Sequence, residues 1–191
     1  MVTSSQSPIG IIAAVTHVTT QQLLSDPTAI SAKARMNWQE DGMAEFDLIV
    51  YGATGFTGRL IADYINATHP DRSWAIAGRS TDKLAAVRDE MGLPCDTDLI
   101  VADAADPASI DAMVARGDVI ISTVGPYQAY GEPLFAACAV TGTDYVDLSS
   151  EPPFMWNMIE KYDAQAKETG TRIVHSCGFD SVPFEIGVYF L

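Results

Sequence analysis

From residue 43 onward, short apolar runs alternate with longer amphipathic stretches. Phe46–Tyr51, Ser73–Ala77, Asp98–Ala102, Val119–Thr123, Tyr145–Leu148 and Arg172–Ser176 are short and rich in Val, Ile and Ala, and they read as buried strands. Between them, Gly58–Thr68, Thr81–Met91, Pro107–Arg116, Tyr130–Thr141 and Pro153–Gly170 read as helices. Punctuation residues support these spans. Asp106 can cap a helix that has Pro107 at its first position, Gly117 is placed to end it, and Gly142 and Gly170 follow the next two. Strands alternating with helices at this spacing predict an α/β fold, a doubly wound parallel sheet of six strands with helices on both faces. Ligands of such sheets gather at the carboxyl ends of the strands, where the strand order reverses.

Residues 1–42 break the pattern. They are rich in Ser, Thr, Gln and Ala, and are expected to form a disordered extension, with a short helix at Thr20–Ala34 as the alternative. The apolar patch Ile9–Val15 is too short to span a bilayer and has no basic stretch before it, which argues against a secretory signal. The expected layout is therefore an extension over 1–42, a nucleotide-binding domain over 43–178, and the start of a second domain over 179–191.

One strand end carries specific chemistry. Gly52-Ala53-Thr54-Gly55-Phe56-Thr57-Gly58 lies between the first strand and the first helix. A glycine-rich turn there lets backbone N–H groups approach a phosphate, and the helix N-terminus adds partial positive charge. The spacing is G-x-x-G-x-x-G rather than G-x-G-x-x-G. Gly52 is expected to end the strand, Gly55 to allow close phosphate approach and Gly58 to let the helix pack near the sheet. Thr54, Phe56 and Thr57 complete the turn. A dinucleotide site of the Rossmann type follows, and the second strand selects its cofactor. An NAD site places Asp or Glu there for the ribose 2′-hydroxyl. This chain has Gly78-Arg79-Ser80, with Lys83 one helical turn on. A guanidinium pairs with a 2′-phosphate and a serine donates a further hydrogen bond, so NADP(H) is expected over NAD(H).

Three other strand ends point to the same edge. Asp103 is a candidate acceptor for the adenine amino group, or else a loop or capping carboxylate. Thr123-Val124-Gly125-Pro126 presents small residues against which the nicotinamide half can lie. Ser149-Ser150-Glu151 can face substrate, or Glu151 can act as a carboxylate at a helix N-terminus. Tyr127 is the best candidate proton donor because it follows the nicotinamide-side turn, with aromatic packing as its alternative role. His175 falls inside a strand pattern and reads as a core or surface residue, and Asp180 and Ser181 can start a helix led by Pro183. No catalytic acid or base is assigned.

Charge and cysteines narrow the field. The net charge of −14 excludes nucleic acid and anionic membrane surfaces as main partners. It also makes the local cations Arg59, Arg79 and Lys83 more telling. Cys95, Cys138 and Cys177 are widely spaced, without a metal-ligand pattern, and fit a reducing, cytoplasmic setting. Cys138 and Cys177 read as buried structural thiols.

The motifs together resemble a known family. Tyr51–Gly58, Ala77–Ser80, Thr123–Tyr127 with Tyr130-Gly131, Ala137-Cys138, Gly142–Ser149 and Cys177–Pro183 are similar to the saccharopine dehydrogenase-like NADP-binding oxidoreductases, with the trans-acting enoyl reductases nearest in pattern. The resemblance covers about residues 45–191. It implies an NAD(P)-binding domain, hydride transfer and a small-molecule substrate: an imine in one branch, a lipid-linked carbon–carbon double bond in the other. It also implies homo-oligomers, and allows peripheral association with membranes. Relatives continue past the Gly178–Pro183 segment into a second, substrate-binding domain, of which this chain is expected to hold only the start. On that expectation the polypeptide is a cofactor domain, a non-catalytic nucleotide-binding module or a truncated inactive product.

Overall fold

A computed structural model describes residues 44–191. The expectation of a disordered extension over 1–42 lies outside the described residues. In chain order the elements are β1 (Phe46–Tyr51), α1 (Phe56–Thr68), β2 (Trp74–Gly78), α2 (Thr81–Glu90), β3 (Asp98–Val101), α3 (Pro107–Val114), β4 (Gly117–Ser122), α4 (Tyr127–Tyr130), α5 (Glu132–Thr141), β5 (Asp144–Asp147), α6 (Pro152–Thr169), β6 (Ile173–Val174) and α7 (Val182–Tyr189).

The six strands form one sheet in the order β3-β2-β1-β4-β5-β6, and every pairing is parallel. The order reverses between β1 and β4, so the crevice of the switch point opens at their carboxyl ends. Alternation along each strand divides the core in two. Ile49, Tyr51, Ala75, Ala77 and Ile120 pack with α3, α5 and α6 through Ile110, Met113, Leu134, Phe135 and Phe154. Val50 and Ile76 face the other way, onto Ala62 and Ile65 of α1 and Leu84 and Val87 of α2. Both sheet faces are covered, as the continuous apolar runs require.

Differences from the expected spans have local causes. The first helix starts at Phe56 rather than Gly58, because the turn tightens through Gly55 N–H donating to the Gly52 carbonyl at 3.0 Å. Gly117 does not stop a helix but begins β4 opposite Phe46. A Cβ there would lie 2.8 Å from Ile49 Cδ1, so the residue is small because the sheet packs tightly at that point. β6 is cut to two residues. Beyond it Ser176 takes a left-handed φ of 59° and its N–H goes to the Asp147 carboxylate rather than along the ladder. Val182–Tyr189 is helical with Pro183 in its first turn, as the Asp180–Pro183 signal predicts.

The amino-terminal edge of the sheet is acidic and lies away from the crevice. Burial, and then the charge of Asp47, push the Asp118 carboxyl above its ordinary value of 3.8; a backbone hydrogen bond from Ala44 opposes this, and Asp144 adds to the rise. A carboxyl raised in the folded state destabilises the fold wherever it is ionised, and that cost disappears once pH falls below the unfolded value. Asp118→Asn should therefore raise the melting temperature at pH 7, by a gain below about 1 kcal/mol given its partial exposure. The gain should shrink as pH approaches 4. Melting curves at the two pH values check this, and an unchanged or lower midpoint at pH 7 would contradict it.

Candidate functional site

The end of β1 is built around positions where no side chain fits. Gly52 has a φ of 92°, and a Cβ on it would lie 2.5 Å from Thr123 Oγ1 and 2.8 Å from Val124 Cγ2. A Cβ on Gly58 would lie 2.4 Å from the Gly52 carbonyl oxygen, so α1 sits directly against the turn. Gly55 precedes α1 without any side-chain cap. The first-turn amides therefore have no side-chain acceptor and can serve an anion. Thr54 is half-buried, while Phe56 and Thr57 are exposed beside the turn. Thr123 has a different task from the one expected. Its N–H donates to the Tyr51 carbonyl at 2.9 Å, and its hydroxyl donates to the Tyr51 and Gly52 carbonyls at 3.0 and 3.2 Å, so it staples β4 to the turn. Gly125 and Pro126 are exposed and Val124 is half-buried next to it, which leaves open backbone on that side of the crevice.

On the other side of β1, Thr54, Arg79, Ser80, Lys83 and Asp103 line a cleft of about 310 Å³. Arg79 is exposed and, among the described residues, neither it nor Lys83 forms an ion pair. Ser80 Oγ accepts a hydrogen bond from the Lys83 amide at 3.4 Å as the N-cap of α2, which leaves its O–H free to donate. Asp103 Oδ1 accepts from the Ala105 amide at 3.0 Å, so one oxygen is used in its own turn. Arg59 is already engaged: its Nε donates to the Thr54 carbonyl at 3.5 Å and its Nη1 lies 2.5 Å from Glu90, a pair that braces α1 against α2. Two cations, a free hydroxyl and an open amide turn on one edge have the chemistry of a site for a phosphorylated dinucleotide.

The β4–β5–β6 side is organised by a buried carboxylate that the sequence reading did not single out. Asp147 has no solvent exposure. It accepts from the Ser149 amide at 3.0 Å, the Ser176 amide at 3.1 Å, the Tyr145 hydroxyl at 3.0 Å and His175 Nδ1 at 2.7 Å. His175 stacks on Phe135 with centroids 5.3 Å apart, and its Nε2 is buried without a hydrogen-bond partner among the described residues. The residue lies just past β6, half-buried beside the aromatic cluster of Phe135, Tyr145 and Phe154. The period-2 placement of Tyr145 and Asp147 on one face of β5 was the available signal for this cluster.

Tyr127 is buried, and its hydroxyl is committed. It donates to the Ser122 carbonyl at 2.9 Å and accepts from the Leu148 amide at 3.2 Å. Burial pushes its pKa up to about 12, and its ring packs on Phe154 at 5.7 Å. This geometry supports packing over proton donation. Glu151 is a carboxylate at a helix N-terminus, one of its two expected roles, but it serves α4: its carboxylate accepts from the Tyr127 and Gln128 amides rather than capping its own helix. Among the cysteines, Cys138 is buried and Cys177 half-buried; burial pushes the Cys177 thiol up to about 11, far from thiolate chemistry.

Fold, switch-point crevice and phosphate-ready turn define a dinucleotide-binding domain. Residues 48–174 match the family of the saccharopine dehydrogenase NADP binding domain, and the chain belongs to that family. A Mycobacterium tuberculosis protein provisionally named a trans-acting enoyl reductase is 53% identical over 148 residues, which is 77% of this chain and 35% of that protein. The trans-acting enoyl reductase of Mycobacterium ulcerans is 49% identical over the same shares. The chain thus spans about a third of the length of these relatives. Among solved structures, saccharopine dehydrogenase (L-Glu forming) from Saccharomyces cerevisiae superposes with a TM-score of 0.59 at 20% identity, over 71% of this chain and 28% of that one. The Citrobacter triphenylmethane reductase complexed with NADP(H) gives 0.50 at 17%, over 68% and 48%. These two likenesses establish the fold. The expected preference for NADP(H) agrees with the family's NADP-binding description.

The committed hydroxyl generates a test. Tyr127→Phe keeps the ring and removes both hydrogen bonds, so urea denaturation should show a loss of about 1–2 kcal/mol. NADPH affinity should change little. A large loss of NADPH affinity at unchanged stability would return Tyr127 to the ligand site.

Proposed function

We propose that this chain is the cofactor-binding part of an NADP(H)-dependent reductase acting on a carbon–carbon double bond of a lipid-linked substrate. The observation that carries the reading is the cleft of Arg79, Ser80 and Lys83 beside the glycine turn. The mycobacterial relatives' names supply the reaction class. In this reading the amides after Gly52 and at the start of α1 take the pyrophosphate. Arg79, Ser80 and Lys83 take the 2′-phosphate, Asp103 borders the adenosine, and the open backbone of Val124, Gly125 and Pro126 backs the nicotinamide. NADPH, when held there, would supply the hydride for reduction of the alkene, with the accompanying proton drawn from solvent. The chain's own residues bind and orient the cofactor, and Thr123 holds the two sides of the crevice in register.

Hydride transfer also needs substrate held at about 3–3.5 Å in a cleft that excludes water. The described sheet edge supplies one wall. A second reading, nucleotide binding without turnover, is favoured by the committed hydroxyl of Tyr127. We therefore expect this polypeptide to bind NADPH and to turn over poorly by itself, and full reductase activity from it would contradict that. No helix among the described residues is long and apolar enough to cross a membrane. A cytoplasmic location, with or without peripheral contact with a membrane, fits the lipid-linked substrate.

Two measurements check the reading. Arg79→Ala removes a charged partner of the 2′-phosphate and should weaken NADPH binding about 10- to 100-fold with little change for NADH. Equal losses for both cofactors, or none, would sink the 2′-phosphate assignment. Phe179, Phe184, Val188 and Phe190 are exposed on and beside α7. Apolar surface of this kind supports self-association. Light scattering on the 191-residue chain should report oligomers, and a clean monomer would contradict this.

A further inference from the structure

The exit of β5 holds a carboxylate whose grip extends across the edge of the sheet. Glu151 directly precedes α6, yet no side-chain hydrogen bond from it caps that helix. Instead its Oε1 accepts from the Tyr127 amide at 2.7 Å and its Oε2 from the Gln128 amide at 2.9 Å. Both amides belong to the segment leaving β4. The bonds continue inward on the other side. The Glu151 amide donates to Ser149 Oγ at 3.2 Å, and the Ser149 amide donates to Asp147 at 3.0 Å. Asp147 is fully buried and held by Tyr145, His175 and Ser176. A continuous run of hydrogen bonds therefore connects a rigid anchor between β5 and β6 to the far end of the Thr123–Pro126 loop. The near end of that loop is fastened by Thr123 to the glycine turn.

We propose that Glu151 is a positioning residue for the nicotinamide half of the cofactor: it fixes the Thr123–Pro126 loop against which the ring lies, without touching the ring itself. The proposal rests on the cofactor site assigned above. A carboxylate can accept from two amides at once through two oxygens, and such charge-assisted bonds are strong. Glutamine offers one oxygen and one NH2 group, so it loses one bond and sets a donor against a donor. The phosphate end of the site stands on the opposite side of the switch point, on β2 and α2. None of the hydrogen bonds found at Arg79, Ser80 or Lys83 joins this network. A fault at Glu151 should therefore divide one ligand into an affected half and an unaffected half.

The test compares NADPH with adenosine 2′,5′-bisphosphate, which carries the 2′-phosphate end and lacks nicotinamide. Both are titrated by calorimetry against wild type, Glu151→Gln and Glu151→Ala, and the emission of bound NADPH is recorded. For both variants, NADPH affinity should fall about tenfold while bisphosphate affinity stays within about twofold. The emission shift of bound NADPH should diminish as the ring loses its fixed surroundings. Circular dichroism and melting curves verify folding, and the glutamine variant, which keeps one acceptor, carries the test if the alanine variant does not fold. Unchanged NADPH affinity and emission in the folded variants would overturn the proposal. Equal losses for both ligands would overturn it too, by showing a general loosening of the domain. Arg79→Ala should weaken both ligands, so it separates failure of this proposal from failure of the cofactor assignment. Wild-type chain that binds neither ligand would overturn both.

Discussion

The contact between the ends of β1 and β4 constrains everything at the ligand edge. At this point the chain must turn off one strand, start a helix toward one face and leave room for a phosphate, while the neighbouring strand leads to the opposite face. The space is so limited that Gly52 has Thr123 Oγ1 where a Cβ would be, and Gly58 has the Gly52 carbonyl oxygen. At Gly58 the excluding atoms are backbone, which cannot swing aside; at Gly52 they are the side chains of Thr123 and Val124, and the φ of 92° itself favours glycine. The same closeness lets one hydroxyl, that of Thr123, hold two carbonyls of the turn. The glycines therefore serve two ends: they open the amides to an anion, and they let the two halves of the sheet approach closely enough to share one ligand.

The two halves are stabilised differently. The β1–β2–β3 side ends in exposed cations and short local bonds, such as the Ser80 cap on α2. In the proposed site its attraction for a phosphate would be electrostatic, and its rigidity comes from apolar packing beneath it. The β4–β5–β6 side ends in a buried polar network. Removing the Asp147 charge from water costs several kcal/mol, and the fold tolerates it because two backbone amides, a phenol and an imidazole converge on one carboxylate. Burial within the same cluster raises the Tyr145 phenol well above its ordinary value, which favours the protonated form that donates to Asp147. The left-handed Ser176 is the conformational cost of bringing its amide to Asp147. A network of that kind suits a surface that must hold its shape, as opposed to one that must attract charge.

Much of this was legible in the sequence, for specific reasons. Apolar runs such as Phe46–Tyr51 report burial on both faces, so six parallel strands were predictable from pattern alone. That the glycine turn and Gly78-Arg79-Ser80 fall at the carboxyl ends of β1 and β2 was legible because each directly follows an apolar run that reads as a strand. Gly117 was misread because a glycine before a strand and a glycine after a helix look alike in one dimension; the packing of Ile49 against it is a tertiary fact. The role of Asp147 escaped for the same reason: its His175 and Ser176 partners lie beyond β6, up to 29 residues away in sequence, and its period-2 pairing with Tyr145 within β5 does not encode those contacts. Glu151 stood out at its strand end, but its partners, the Tyr127 and Gln128 amides, lie 24 and 23 residues back in the chain, where no local pattern points to them. Tyr127 attracted attention through its place in the chain, but its chemistry depends on the Ser122 carbonyl and Leu148 amide that surround it.

The overall charge sharpens the meaning of the phosphate cleft. A chain of net charge −14 repels a polyanionic cofactor at long range. At physiological salt that repulsion is screened beyond about 8 Å, so binding depends on what lies within the cleft itself. There, Arg79 and Lys83 face the site without a carboxylate partner among the described residues, while Arg59, only a few positions away from the turn, is neutralised by Glu90. The distribution is selective: among the described residues, the other lysines and arginines are paired, and the two that line the cleft are not, which is what the proposed site asks of them. Asp103 lines the same cleft without forming an ion pair with either cation, and one of its oxygens accepts from the Ala105 amide, so the two charges stay open to an anion.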